Sequence, residues 1–274
     1  MRYQVLVTDV VHASTLTELS AAEARLASIL ARPKWIALAC IAVLTACGWL
    51  ALALLATKYG GFAALCLPLG RTGFEAFLLA LPVWAAMTLA MMLPTAGPMI
   101  LTYAEIADTA ARKRETVVSP LILTAGYVMV WLGFAVMAAA LQATLPAELF
   151  SAGQAGVLIS GALFMVAGLY QFSPLKRACL TLCQRPFPFF FANWTTAMAG
   201  VFRLGLRQGL YCLGCCAALM LLMFAAGAMN VIWMAALGIV MTIEKLATTM
   251  RFTHVVGVAF VAIGLGFVAA GLLP

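Results

Sequence analysis

The run GLRQGLYCLGCCAALMLLMF, Gly205–Phe224, brings three cysteines, Cys212, Cys215 and Cys216, to the point where the chain turns continuously apolar. About 20 apolar residues let a helix cross ~30 Å of hydrocarbon, so this stretch reads as a membrane span opening near Gly209. The composition extends that reading to the whole chain. Of 274 residues, 65% are hydrophobic and 9% charged, too little polar surface to keep a soluble domain of this size dispersed. The expected fold is all-α, a polytopic transmembrane helix bundle. The net charge of +7 then points to loops facing anionic lipid, not to nucleic acid.

Seven runs have spanning character: Trp35–Ala56, Phe74–Thr102, Leu121–Gln142, Gly156–Phe172, Gly209–Gly227, Met229–Leu246 and Thr253–Leu272. The first of these, beginning at Trp35, is long enough to stay in the membrane instead of being removed as a leader. The second run is over-long, so a tilt or kink is expected in it, and Pro94 and Pro98, which remove helix hydrogen bonds, mark the point. With seven spans, one side of the membrane receives every basic residue of the sixteen except Lys58 and Arg71. By the positive-inside rule the N-terminus lies in the cytoplasm and the C-terminus outside. The expected location is a bacterial inner membrane.

Residues 1–34 form a cytoplasmic N-terminal segment, and 35–274 the membrane domain with a cytoplasmic, cysteine-containing loop at about 173–208. Within the first segment Ser20 and Glu23 have capping-box spacing ahead of Leu26, Ile29 and Leu30, the pattern of an amphipathic interfacial helix. Small residues such as Gly205 and Gly209, or Gly153, Gly161 and Gly168, suit close helix packing.

The eight cysteines divide by surroundings. Cys40 and Cys47 sit among apolar neighbours as small hydrophobes, and Cys66 has no partner nearby. Cys212, Cys215 and Cys216 share one helical face, and Cys179 and Cys183 share another if ACLTLC is helical. Both groups flank the same basic segment and can converge at the inner surface, where the cytoplasm keeps thiols reduced. The five basic residues nearby, Lys176, Arg177, Arg185, Arg203 and Arg207, would favour thiolate. Clustered thiolates select soft cations. Zinc wants four ligands in a tetrahedron, and Cu(I) is satisfied by two or three sulfurs, so Cu(I) is favoured with zinc and iron as alternatives. Packing alone explains one or two cysteines but explains C-x-x-C-C together with C-x-x-x-C poorly.

Accessory candidates follow the same faces. Met220 continues the Cys216 face, and Met91, Met92 and Met99 flank the two prolines, where thioethers either pass Cu(I) along or fill gaps. Glu244 lies at the cytoplasmic level of the cysteines, and an acid inside an apolar run is a functional candidate. His254 is a sixth possible ligand.

With these residues assembled, the chain resembles a bacterial family of predicted metal-binding integral membrane proteins (domain of unknown function 2182). The carriers are Trp84, Met87, AMMLP (Ala90–Pro94) with Pro98-Met99, YQFSPLKRACLTLC (Tyr170–Cys183), GLYCLGCCAALM (Gly209–Met220), Met229-Asn230, Trp233-Met234 and Glu244-Lys245. Gln184 and Ala217 depart from the family pattern beside the cysteines. The resemblance implies metal binding through the thiols without naming the metal. The leading expectation is therefore a membrane protein that handles or transports a soft cation, with the lipid bilayer and a metal chaperone or second membrane subunit as partners. A copper or iron oxidase is the alternative enzyme reading, disfavoured because only His12 and His254 offer imidazoles. A transmembrane thiol–disulfide carrier is the other, since Cys212 and Cys215 have C-x-x-C spacing.

Overall fold

A computed structural model describes residues 33–59, 73–145, 153–225, 231–247 and 249–272. The amphipathic segment expected before Trp35, with His12, and Cys66 lie outside these residues. Nine helices and no strands occur among the described residues: α1 Pro33–Tyr59, α2 Phe74–Arg112, α3 Pro120–Thr144, α4 Gln154–Tyr170, α5 Pro174–Gln184, α6 Pro186–Ala192, α7 Met198–Ala225, α8 Val231–Leu246 and α9 Arg251–Leu272. The fold is all-helical, as the composition implies.

Five helices, α1, α2, α3, α7 and α9, are long and apolar enough to cross a membrane, and α4 with α5 make a sixth if the pair, bent by 64°, is one broken span. Seven spans are expected from the sequence, and five or six helices among the described residues have the length and composition to cross. α8 has 16 described residues, a rise of about 24 Å. The outward faces suit lipid: Leu50, Leu54, Val166, Leu169, Val258 and Leu265 are all more than half exposed, a pattern inverted from that of a soluble core.

α2 is one continuous helix of 39 residues with Pro82, Pro94 and Pro98 inside it, because neighbouring helices support a span where a lone helix would part. The segment from 173 to 208 is largely helical. Ser173 accepts from the Lys176 backbone N–H at 3.1 Å and Pro174 opens α5, an N-cap followed by proline at the first helical position. α7 then starts at Met198, not near Gly209. Its polar first half is amphipathic: Val201, Leu204 and Gln208 are buried while Arg203 and Arg207 are exposed.

Glycines set the helix crossings. A Cβ at Gly126 would overlap the Phe202 carbonyl, and one at Gly205 the Leu123 carbonyl, so α3 and α7 touch backbone to backbone. Gly161 and Gly264 do the same for α4 and α9. This is the close approach that small residues permit between membrane helices.

The ends of the helices place the site. Tyr170, the last residue of α4, hydrogen-bonds the Gly214 carbonyl of α7, and Lys245, in the last turn of α8, reaches both Thr95 of α2 and Cys212 of α7. α4 and α8 therefore stop at the level of the cysteines, while α2 and α7 continue past them. α5, α6, the first half of α7 and the last turns of α2 form a cap over that level. Aromatic contacts bind the cap together: Tyr103 lies 5.5 Å from Phe190 and 5.6 Å from Trp194, and Phe189 lies 6.1 Å from Tyr211.

Candidate metal centre

The helical spacing of Cys212, Cys215 and Cys216 becomes a cluster because their face of α7 turns into the bundle. Their sulfurs all lie within 4.8 Å of one another, and the three residues are at most 2% exposed. Cys215 Sγ is 3.4 Å from Cys216 Sγ and 3.2 Å from the Cys212 carbonyl. One ion bonded at ~2.3 Å bridges sulfurs up to ~4.6 Å apart, so a slight contraction closes the three around a single soft cation. The cluster is not at the mouth of a helix: Cys212 lies about 21 Å along α7 from its start, beneath the cap.

α5 brings the second pair of cysteines. Cys183 Sγ lies 3.9 Å from Cys215 Sγ, and Cys183 is only partly buried. Cys179 packs on Gly214, where a Cβ would come within 2.5 Å of its sulfur. The convergence of the two groups expected from spacing is thus present, with three buried sulfurs beneath two that are partly covered. Cys40 is partly buried on α1, whereas Cys47 is exposed on the outward surface, not interior as its neighbours suggested.

The cation at the sulfurs is not one of the five basic residues of the 173–208 segment. Lys176 is bound to Glu244 at 2.8 Å, both side chains 1% exposed, and Arg207 stacks over Phe189 and donates to Asn193. Lys245 takes the position instead. Its Nζ is 3.0 Å from Cys212 Sγ and donates to Thr95 Oγ1 at 2.6 Å. Tyr127 OH is 3.0 Å from the same sulfur and 3.0 Å from the Met92 carbonyl, which also accepts from the Thr95 hydroxyl at 2.9 Å. Tyr127 and Thr95 carry no local sequence signal for this role. Lys245 does: an ionisable residue in an apolar run marks a site.

The accessory candidates scatter. Met99 joins Cys183, Cys212, Gln208, Tyr127 and Lys245 around a cavity of about 200 Å³. Met220 is fully buried one turn beyond Cys216, Met91 packs toward Gly238 of α8, and Met92 meets the site through its carbonyl. Glu244 is engaged by Lys176, and Gln184 donates to its backbone carbonyl at 2.8 Å. His254 stacks on Phe172 with ring centroids 5.3 Å apart.

A family model described as PpoB2, copper chaperone, matches residues 81–267. The chain belongs to this copper-chaperone family. The matched region runs from α2 to α9 and contains Cys179, Cys183, Cys212, Cys215 and Cys216, so the thiol centre falls within the part that defines the family, and α1 falls outside it. No curated protein and no solved structure matches the chain.

Proposed function

We propose that this protein holds Cu(I) as cargo on Cys212, Cys215 and Cys216, at the level where α4 and α8 end, and passes it to or from a partner through Cys183 and Cys179. The observation that carries the reading is the set of three buried sulfurs within 4.8 Å, with no histidine or carboxylate among them. Three thiolates match the coordination that Cu(I) accepts, whereas zinc would have to recruit Cys183 as a fourth. Membership of the copper-chaperone family supports copper over iron. Lys245 offsets part of the negative charge that a copper–thiolate centre carries into an apolar bundle.

The reading places the chain in the inner membrane of a bacterium with the cap in the cytoplasm, supported by the distribution of Lys and Arg between the two sides. Met91, Met92, Met99 and Met220 would extend the path into the bundle as thioether ligands, making movement across the bilayer an extension of the same role. No nucleotide-binding motif accompanies it, so such movement would be passive, ion-coupled or partner-driven.

The test is elemental analysis of protein purified without oxygen, wild type beside the Cys212→Ser, Cys215→Ser, Cys216→Ser triple variant. Stoichiometric copper in the wild type and its loss from the variant is the expected result. A wild type without copper overturns the proposal, and reversible thiol oxidation in its place moves the reading to electron transfer. Turnover of dioxygen by the copper-loaded form supports the oxidase alternative.

A further inference from the structure

Gln208 is a buried polar residue that neither the thiol cluster nor the bundle uses. It lies on α7 one turn before Cys212, is 2% exposed, and its Nε2 has no hydrogen-bond partner. A buried amide donor left unmet is unfavourable, and such groups in native folds call for an explanation. The explanation lies in what surrounds it. Gln208 lines the cavity of about 200 Å³ that also meets Cys183, Cys212, Met99 and Lys245. Lys245 engages Thr95 and Cys212, and an ammonium has three N–H donors, so one direction is left over.

The cavity therefore gathers two side chains that carry N–H donors, Gln208 and Lys245, with three sulfurs, the Met99 thioether and the Cys183 and Cys212 thiols. Carbonyls and carboxylates would use the donors and ignore the sulfurs. An anionic sulfur carrying a soft cation uses both. Its volume admits a group the size of a cysteine side chain and not a folded peptide segment. We infer that this cavity is the port at which an incoming thiolate that carries Cu(I) is recognised, with the Gln208 amide and the Lys245 ammonium donating to its sulfur. The inference rests on the copper reading of the cluster.

The transfer balances without redox change. The bond from copper to the donor sulfur breaks as a bond to Cys183 Sγ forms, copper stays monovalent, and the Cys183 proton leaves with the released donor thiol. Cys215, 3.9 Å from Cys183, then takes the ion by the same exchange and returns its proton to Cys183. Gln208 acts by holding the donor sulfur in place and does not ligate copper.

The experiment loads the full-length protein in detergent, without oxygen, from two carriers: the Cu(I)–dithiothreitol complex, which presents a thiolate, and the Cu(I)–acetonitrile complex, which presents none. Copper–thiolate absorption in the ultraviolet follows the rate. Gln208→Leu should slow loading from dithiothreitol about tenfold, the scale of one hydrogen bond to a charged group, leaving the acetonitrile rate and the final occupancy unchanged. Gln208→Glu keeps the size, sets a negative charge against the incoming sulfur and should slow the thiolate carrier more. Equal rates in Gln208→Leu and wild type, as expected if water alone meets the amide, overturn the port. Equal slowing with both carriers, or lost occupancy in both variants, makes Gln208 structural and overturns it too. A wild type that loads from neither carrier sinks the copper reading itself.

Discussion

Glu244 and Lys245 are consecutive in the last turn of α8, both buried, yet they face different chemistry. Successive residues on a helix point about 100° apart, so Glu244 turns to α5 and the Lys176 ammonium, while Lys245 turns to α2 and α7 and finds only the Thr95 hydroxyl and the Cys212 sulfur. The first centre is charge-matched, one acid to one base. The second is open: a buried ammonium hydrogen-bonded to a hydroxyl and a thiol but to no carboxylate. A matched pair locks the cap to the bundle, and an open cation waits for charge to arrive. The contrast teaches that the same helix end supplies both the fastening and the counter-charge of the thiol centre.

The largest effect expected is at the fastening. Glu244→Gln leaves the Lys176 ammonium buried without a carboxylate, a loss of about 3–5 kcal/mol to be read from thermal or denaturant unfolding in detergent. Adding Lys176→Met should recover most of it, because an apolar pair often replaces a buried ion pair without loss. A Glu244→Gln protein as stable as wild type would mean that the pair is no lock.

Next comes the crossing that aims the thiol face. Gly205→Ala would press a methyl group into the Leu123 carbonyl, and rigid backbone opposite leaves nothing to yield. Overpacking of this kind costs about 1–3 kcal/mol. It also pushes α3, and with it Tyr127, away from Cys212, so copper affinity should fall as well. Glu244→Gln should spare affinity in the molecules that remain folded, and the two variants thereby separate the two centres.

Lys245→Met follows. Without the cation, a copper–thiolate centre keeps its charge uncompensated, and affinity should fall about tenfold, equivalent to ~1.4 kcal/mol, in competition with a chromophoric Cu(I) chelator. Stability of the empty protein should hold or rise, since an apolar side chain replaces a cation without a full partner. A fall in stability like that of Glu244→Gln would erase the contrast between the neighbours.

How much of this could be read beforehand follows from what is local. The helical class, the shared face of Cys212, Cys215 and Cys216, and the packing role of Gly205 depend on residues within a few turns, and all were legible. The start of α7 was not, because a window of hydropathy finds apolar length and its first half is amphipathic. The stripe of Val201, Leu204, Gln208, Cys212, Cys215 and Leu219 carries that information at a 3.6-residue period. At Pro94 and Pro98 the opposite holds: proline breaks a lone helix, and here the bundle keeps α2 continuous. Lys245 enters the sequence reading only through the count of basic residues on one side, because its partners are 33 and 150 residues away. No local pattern encodes where a short helix will stop inside a bundle.

The smallest effect tests which part of the open centre governs Cys212, charge or hydrogen bond. The Tyr127 hydroxyl lies 3.0 Å from both the Met92 carbonyl and the Cys212 sulfur, and its single hydrogen can serve only one of them. Thr95 covers the Met92 carbonyl at 2.9 Å, so the phenol is free to turn to a thiolate without leaving that carbonyl unmet. Tyr127→Phe keeps the ring in the core and removes only this choice. The protein should lose about 1 kcal/mol of stability, and Cu(I) affinity should fall less than in Lys245→Met, because bound copper takes up the sulfur charge that the hydroxyl would otherwise meet. A larger loss of affinity in Tyr127→Phe than in Lys245→Met would reverse the ranking. The hydroxyl would then control the sulfur, and the ammonium at the end of α8 would be a structural contact to Thr95.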